Sequence, residues 1–217
     1  MSEANHVMSG ELLSVNVVRK VRADGPDERT AIDKRSVDAR VYVNDLGLAG
    51  DFVCDTVNHG GLDQAVYAYA REDAQWWERE LDRELAPGAF GENLSTEGLD
   101  VTNAIIGEQW AVGEALLEVS CPRIPCATFQ RFWDVPRLVK RFTEHGACGA
   151  YLRVLGEGEI GAGDAIRVVH RPAHGVTLGE SFRGLSGDRD VLPRLLQAPE
   201  LAAPFADKAR RLLAAAR

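Results

Sequence analysis

Short apolar segments of strand length, separated by glycine-containing turns, recur along most of this chain. They lie at residues 12–18, 37–46, 65–69, 110–112, 115–119, 150–155 and 165–170. Between them, helical spacing of apolar residues occurs only at 71–85 and in two short segments, 127–133 and 135–145. Many short strands with few intervening helices favour a mainly β fold of the α+β class, a β barrel with peripheral helices, over a doubly wound parallel sheet.

The two ends of the chain differ from this pattern. Residues 1–9 predict a disordered tail, and beyond residue 172 the composition changes to Leu, Ala and Arg, with helical patterns at 190–196 and 199–216. We therefore divide the chain into a tail (1–9), a barrel domain (10–172) and a small helical appendage (173–217). Because the appendage is too short to bury a core alone, we expect it to pack on the barrel or on a second copy, as in a homodimer.

Composition narrows the function classes. The 217 residues carry a net charge of −8, which disfavours nucleic acid and anionic membranes as partners. No apolar run approaches the roughly 18 residues of a membrane span, and the first residues lack the pattern of a secretion signal. These features predict a cytoplasmic protein, in which the four cysteines are free thiols.

Cys126 is the first candidate for chemistry. It ends the segment SCPRIPC at 120–126, in which two prolines restrict the backbone and Arg123 places a cation near the thiol. Such a setting favours the thiolate, the form that attacks electrophiles and binds metals. The segment from Arg123 to Arg141 contains five basic residues and one acidic residue, Asp134. This basic segment therefore either binds an anionic ligand or forms the solvated surface of a helix.

Three other segments present polar side chains on loops. His59 lies in NHGGLDQAV at 58–66, where two glycines allow a close backbone approach just before a strand. Asn93 lies in the glycine-flanked loop PGAFGENL at 87–94, and Lys34 and Arg35 follow residues 21–33, which predict a loop. The glycine-rich stretch 156–164 predicts a hairpin turn and not a phosphate loop, because no helix follows it.

Together these segments resemble the MOSC family, the domain related to the C-terminal part of molybdenum cofactor sulfurase, and within it the small bacterial YiiM-like branch. The resemblance covers residues 11–171. It rests on LGLAGD at 46–51, HGG at 59–61, DQAVY at 63–67, FGENL at 90–94, PRIPC at 122–126 and GAYLRVL at 149–155. The order of the motifs also agrees, and the segment after residue 172 resembles the three-helix appendage of that branch.

The resemblance implies a barrel that holds the molybdenum cofactor, a molybdopterin, with Cys126 as the catalytic residue and molybdenum ligand. It also implies that Lys34, His59, Asn93 and Arg123 bind the pterin and its phosphate. The implied activity is the reduction of N-hydroxylated compounds such as hydroxylaminopurines. Since the cysteine spacing matches no iron–sulfur motif and no flavin or haem motif is present, electrons would come from a partner protein, a flavin or iron–sulfur reductase.

Two other functions stay open at the level of the sequence. In the first, Cys126 carries a persulfide, or the protein stores and delivers the cofactor without reductase turnover. In the second, zinc binds to a subset of the cysteines and histidines, although no Cys-x-x-Cys pair is present; these residues are Cys54, His59, Cys121, Cys126, His145 and Cys148. Cys121 stands where the resemblance implies a polar residue such as glutamine before the Pro-Arg pair. Because it lies five residues from Cys126, a reversible disulfide or a mixed site stays open.

Overall fold

The computed structural model describes residues 9–25 and 28–215 and arranges them mainly as strands, with six α-helices in this part of the chain. The strands are β1 (Ser9–Ala23), β2 (Arg29–Val37), β3 (Val41–Asn44), β4 (Gly47–Leu48), β5 (Val66–Ala70), β6 (Leu94–Glu97), β7 (Gln109–Val112), β8 (Ala115–Pro122), β9 (Ala150–Gly156), β10 (Gly158–Ile160) and β11 (Ala165–His170). The helices are α1 (Arg71–Leu81), α2 (Ala127–Trp133), α3 (Leu138–His145), α4 (Leu178–Leu185), α5 (Leu192–Leu195) and α6 (Ala203–Ala214). Of the predicted tail, only Ser9 lies within the described residues, and it already belongs to β1.

Seven strands close into a barrel. Their order is β11-β7-β8-β9-β5-β6-β1, and β1 pairs with β11 to complete the circle. Neighbouring strands are antiparallel except β5 and β6, which are parallel and are connected through α1. A smaller sheet, β10-β3-β4, accompanies the barrel. The predicted mainly β barrel with peripheral helices is therefore confirmed.

The prediction of a loop at residues 21–33 is wrong. Strand β1 continues to Ala23 and β2 begins at Arg29, so the two form a long hairpin beyond the barrel. The charged residues of this segment hid the strand pattern. In the hairpin they pair instead, since Arg22 binds Asp33 across the strands at 2.6 Å.

Strand β5 is buried on both faces and separates two apolar clusters. Val66 and Ala68 contribute to the barrel core, whereas Tyr67 and Tyr69 point to an aromatic cluster outside it, as the two-residue period of a strand requires. Helices α1 to α3 cover that cluster with large side chains, among them Trp77, Phe129, Trp133 and Phe142. The aromatic cluster therefore supports the segment that carries Cys126.

The appendage packs on the barrel. Leu178, Leu192 and Leu195 belong to the same buried cluster as the barrel strands, and the amide of Ala202 donates to the Ser120 carbonyl at 3.1 Å. Helix α4 lies outside the two helical patterns at 190–196 and 199–216, although Thr177 and Glu180 form a capping box at its start. The homodimer stays a prediction. No helix in the described ranges is long and apolar enough to cross a membrane.

Candidate functional site

Cys126 lies at the junction of β8 and α2. Strand β8 ends at Pro122, and Cys126 directly precedes the first residue of α2 with an extended backbone, φ −127° and ψ 172°. Its side chain is partly buried and packs against the aromatic cluster. The two prolines of the segment keep the chain extended over this short connection, so the thiol is held between strand and helix.

The environment of Cys126 favours the thiolate. Burial raises the pKa of the thiol. Hydrogen bonds to the His59 side chain and the Phe129 backbone amide lower it, as does the charge of Arg123. The net result is a pKa of about 7, below the ordinary value of 9.0. The structure thus brings the predicted residues His59, Arg123 and Cys126 together. A thiol of this kind can act as a nucleophile or as a soft metal ligand near neutral pH.

Arg123 is a buried cation without a carboxylate partner among the described residues. The residue is 5% exposed, and its Nη1 has no hydrogen-bond partner in this part of the chain. Its guanidinium carbon lies 3.9 Å from the ring centroid of Phe129 and 5.2 Å from that of Phe142. Aromatic faces stabilise the charge only partly, so a buried guanidinium in this state could hold an anion.

Lys34 and Asn93 meet at a carboxylate that the sequence analysis did not select, Asp51. The Lys34 ammonium, on β2, binds Asp51 Oδ2, which also accepts from Asn93 Nδ2 at 2.7 Å. Asp51 Oδ1 accepts from the Val18 amide at 2.9 Å. Burial lowers the pKa of Lys34, and the charge of Asp51 opposes that shift. Asp51 ends the LGLAGD segment, and a carboxylate that follows two glycines was the sequence signal that could have identified it as a site residue.

Asn93 is fully occupied by protein partners. Its Oδ1 accepts from the Tyr67 amide at 3.1 Å, and its Nδ2 donates to Asp51 and to the Asn16 carbonyl, the latter at 3.3 Å. These bonds join β1, β5 and the residue before β6. Asn93 therefore positions Asp51 and fixes the strands, and its direct contact with a cofactor stays a prediction.

Tyr151 is a second residue of the site that sequence reasoning missed. Burial raises its pKa to about 12, with Arg123 lowering it and the thiols of Cys121 and Cys126 raising it further. Its ring lies 5.2 Å from that of Tyr67, centroid to centroid. The alternation of β9 gave the signal, since Tyr151 stands between the buried residues Ala150 and Leu152 at the end of the strand near the Cys126 segment.

The disulfide and zinc interpretations of the cysteines and histidines are not supported. All four cysteines are free thiols, as predicted. Burial raises the pKa of Cys121 to about 12 whereas the pKa of Cys126 is lowered, so these two thiols have opposite character. Within residues 9–25 and 28–215, no three His, Cys, Asp or Glu residues come together as metal ligands. His145 stacks on Trp76 with ring centroids 3.7 Å apart, and the zinc interpretation therefore fails.

The basic segment 123–141 does not form one anion site. Arg123 and Arg131 face the Cys126 region, whereas Lys140 and Arg141 bind Glu144 and Glu80 on the surface, at 3.4 and 3.5 Å. The solvated-face interpretation is thus correct for α3.

The chain is similar to known proteins. The model of the MOSC domain matches residues 55–167. Protein YiiM of Escherichia coli is 34% identical over 189 residues, 84% of each chain. A protein named Reductase from Gibberella moniliformis is 36% identical over 168 residues, which make up 75% of this chain but only 30% of that longer protein.

Among solved structures, the crystal structure of YiiM from Geobacillus stearothermophilus superposes with a TM-score of 0.80. That superposition covers 94% of this chain and 99% of the other, at 28% identity. The family match, the relatives and the closed seven-stranded barrel agree with the resemblance drawn from the motifs. The chain belongs to the MOSC domain family.

Proposed function

We propose that this protein is a molybdenum-dependent reductase of N-hydroxylated compounds. The observation that carries the proposal is the pairing of a thiol whose pKa is about 7 with a buried guanidinium, Arg123, that lacks an anionic partner in the described chain. A soft thiolate suits molybdenum, and the guanidinium suits an anionic cofactor. Membership of the MOSC family and the relative named Reductase support an oxidoreductase role.

The residues present fit the molybdenum cofactor. Cys126 would bind the metal through Sγ, and Arg123 would offer Nη1 to an anionic oxygen of the pterin or its phosphate. Lys34 is engaged only by Asp51 in the described chain, so its ammonium keeps further N–H donors for the same anion. His59 would donate to the Cys126 sulfur.

When bound, the cofactor supplies a metal centre that takes up an oxygen atom and changes oxidation state by two electrons. The overall reaction converts R–NHOH, two electrons and two protons into R–NH₂ and water, so the N–O bond breaks and the oxygen leaves as water. Cys126 anchors the reacting centre, and Arg123 and Lys34 orient the anionic part. His59 holds a proton beside Cys126 Sγ and thereby keeps the sulfur ionised.

The electrons come from a partner. The four cysteines lack iron–sulfur spacing, and the chain contains no flavin or haem motif. We assign this role to a flavin or iron–sulfur reductase.

The test is metal and pterin content together with turnover. Purified protein should contain molybdenum and pterin and should reduce hydroxylaminopurine with an artificial electron donor. Cys126→Ser should lose molybdenum and activity, whereas Cys54→Ser, which alters another partly buried free thiol, should retain both. Active protein without molybdenum would refute the proposal.

A second candidate is a sulfur carrier, which the lowered pKa of Cys126 also favours. It predicts a mass increase of one sulfur atom on the peptide that contains Cys126, with no reduction of N-hydroxylated compounds. Turnover without a persulfide excludes it.

A further inference from the structure

A cleft that the proposed site does not use lies between the β1–β2 hairpin and α2. We call it the hairpin cleft; its volume is about 430 Å³, and the residues that matter are Lys20, Arg22, Asp24, Thr128, Arg131 and Phe132. This volume falls in the range of small-molecule sites.

The hairpin cleft adjoins Cys126. Thr128 and Arg131 belong to the helix that begins directly after Cys126, and at roughly 1.5 Å per residue they lie within two turns of it. The pKa of Arg131 is raised mainly by its hydrogen bond to Asp24 and also by the charge of the Cys126 thiolate. The cleft therefore lies beside the first turns of the helix that follows Cys126.

Two arginines in the cleft are held in place by buried carboxylates. Arg22 binds Asp33 Oδ2 at 2.6 Å, and Arg131 Nε binds Asp24 Oδ1 at 2.7 Å. The carboxylates are 7% and 9% exposed, whereas the two arginine side chains are 47% and 51% exposed. Each guanidinium is thus oriented by a buried carboxylate while about half of its side chain stays exposed, and Arg131 Nη2 also donates to Thr128 Oγ1 at 3.4 Å. Such oriented cations are preorganised for phosphate oxygens.

The hairpin cleft also offers an uncompensated cation and an aromatic ring. Lys20 forms no ion pair with the described residues, so its charge is not neutralised as those of the two arginines are. Phe132 is half-buried, and the guanidinium carbon of Arg22 lies 5.6 Å from its ring centroid. Cations beside an aromatic face are the combination that binds a phosphate attached to a planar heterocycle.

We infer that the hairpin cleft binds a purine nucleoside monophosphate. This deepens the proposed function and rests on it, because the substrate class becomes N-hydroxylated nucleotides, preferred over the free bases. Lys20 and the exposed edges of Arg22 and Arg131 would hold the phosphate, and Phe132 would contact the planar base.

The first experiment measures binding without turnover. Isothermal titration of the full-length protein with adenosine monophosphate and with adenosine should show about tenfold tighter binding of the monophosphate. Lys20→Gln should remove most of this preference, and the change breaks no ion pair among the residues that the structure describes. Arg210→Gln, on exposed α6, is the matched control and should leave the preference unchanged. Equal binding of the two ligands, or an unaltered preference in Lys20→Gln, would overturn the inference.

A second measurement separates the substrate from the cofactor as the source of the phosphate. If the cleft holds the cofactor's phosphate, Lys20→Gln should lower the pterin content and leave the monophosphate preference intact, which contradicts our inference. The outcome for the proposed function is distinct. Reduction of N-hydroxylated bases without a preference for the nucleotide refutes only the inference that the hairpin cleft binds nucleotides. Nucleotide binding without any reduction refutes only the proposed reductase activity.

Discussion

The ionisation of Cys126 gives the sharpest test of the site. A thiol with a pKa of about 7 is about half ionised at pH 7, whereas one at the ordinary 9.0 is about 1% ionised. The intrinsic reactivity of a thiolate falls as its pKa falls, which removes roughly tenfold of that advantage. We therefore expect Cys126 to react about fivefold faster at pH 7 than an unperturbed thiol of equal exposure.

The perturbation that tests the cause is His59→Asn. Burial alone would raise the pKa of Cys126, and the hydrogen bond from His59 is the largest contribution that opposes it. Without that bond, the midpoint of the pH–rate profile should rise by about one unit. Iodoacetamide alkylation, followed on the Cys126 peptide by mass spectrometry from pH 5 to pH 10, measures the midpoint.

His170→Asn is the matched control, since His170 is exposed at the end of β11. Its midpoint should equal that of the unaltered protein. A midpoint near 9 in the unaltered protein, or the same midpoint in His59→Asn, would contradict the assignment of His59 as the group that keeps the sulfur ionised.

Three further predictions concern stability. Burial raises the pKa of Asp73 from 3.8 to about 6. The stability that the protonated carboxyl contributes is therefore present below pH 4 and is lost as the pH rises through 6. Asp73→Asn should raise the melting temperature at pH 7 more than at pH 4. Thr177→Ala removes the cap of α4 and should lower the free energy of unfolding in urea by about 1 kcal/mol, with an unaltered far-ultraviolet spectrum. Gly149 has φ +70°, and a Cβ there would lie 2.6 Å from the Ala68 carbonyl oxygen. Gly149→Ala should therefore lower the free energy of unfolding by more than about 1 kcal/mol in the same assay. An unchanged free energy of unfolding would contradict the close approach.

Motifs and strand periodicity predicted the barrel and the residues around Cys126, because those features are local. The spacing of glycines and apolar residues marked most strands, and the prolines beside Cys126 marked a restrained thiol. The partnership of Cys126 with Arg123 is also local, since Arg123 lies three positions before Cys126. His59 lies in a distant segment of the sequence, and it was selected as a site residue because the order of the motifs resembles that of the MOSC family.

Contacts between distant segments were not predictable in this way. Asp51 pairs with Lys34 across 17 residues and with Asn93 across 42, and nothing in any one segment reveals these pairs. The long hairpin was missed because its charged residues satisfy one another across two strands, and this pairing is visible only in the register. Tertiary pairing here outweighs local propensity.

The link between Lys34, Asp51 and Asn93 decides how variants of the predicted cofactor-binding residues are to be interpreted. Asp51 is 9% exposed, so removing Lys34 alone leaves a buried carboxylate with less compensation, which is costly regardless of any ligand. Lost activity in Lys34→Met therefore does not show that Lys34 binds the cofactor. If Lys34 serves only Asp51, the double variant with Asp51→Asn should regain both stability and cofactor content. If Lys34 also binds the anion, the double variant should regain stability but not cofactor.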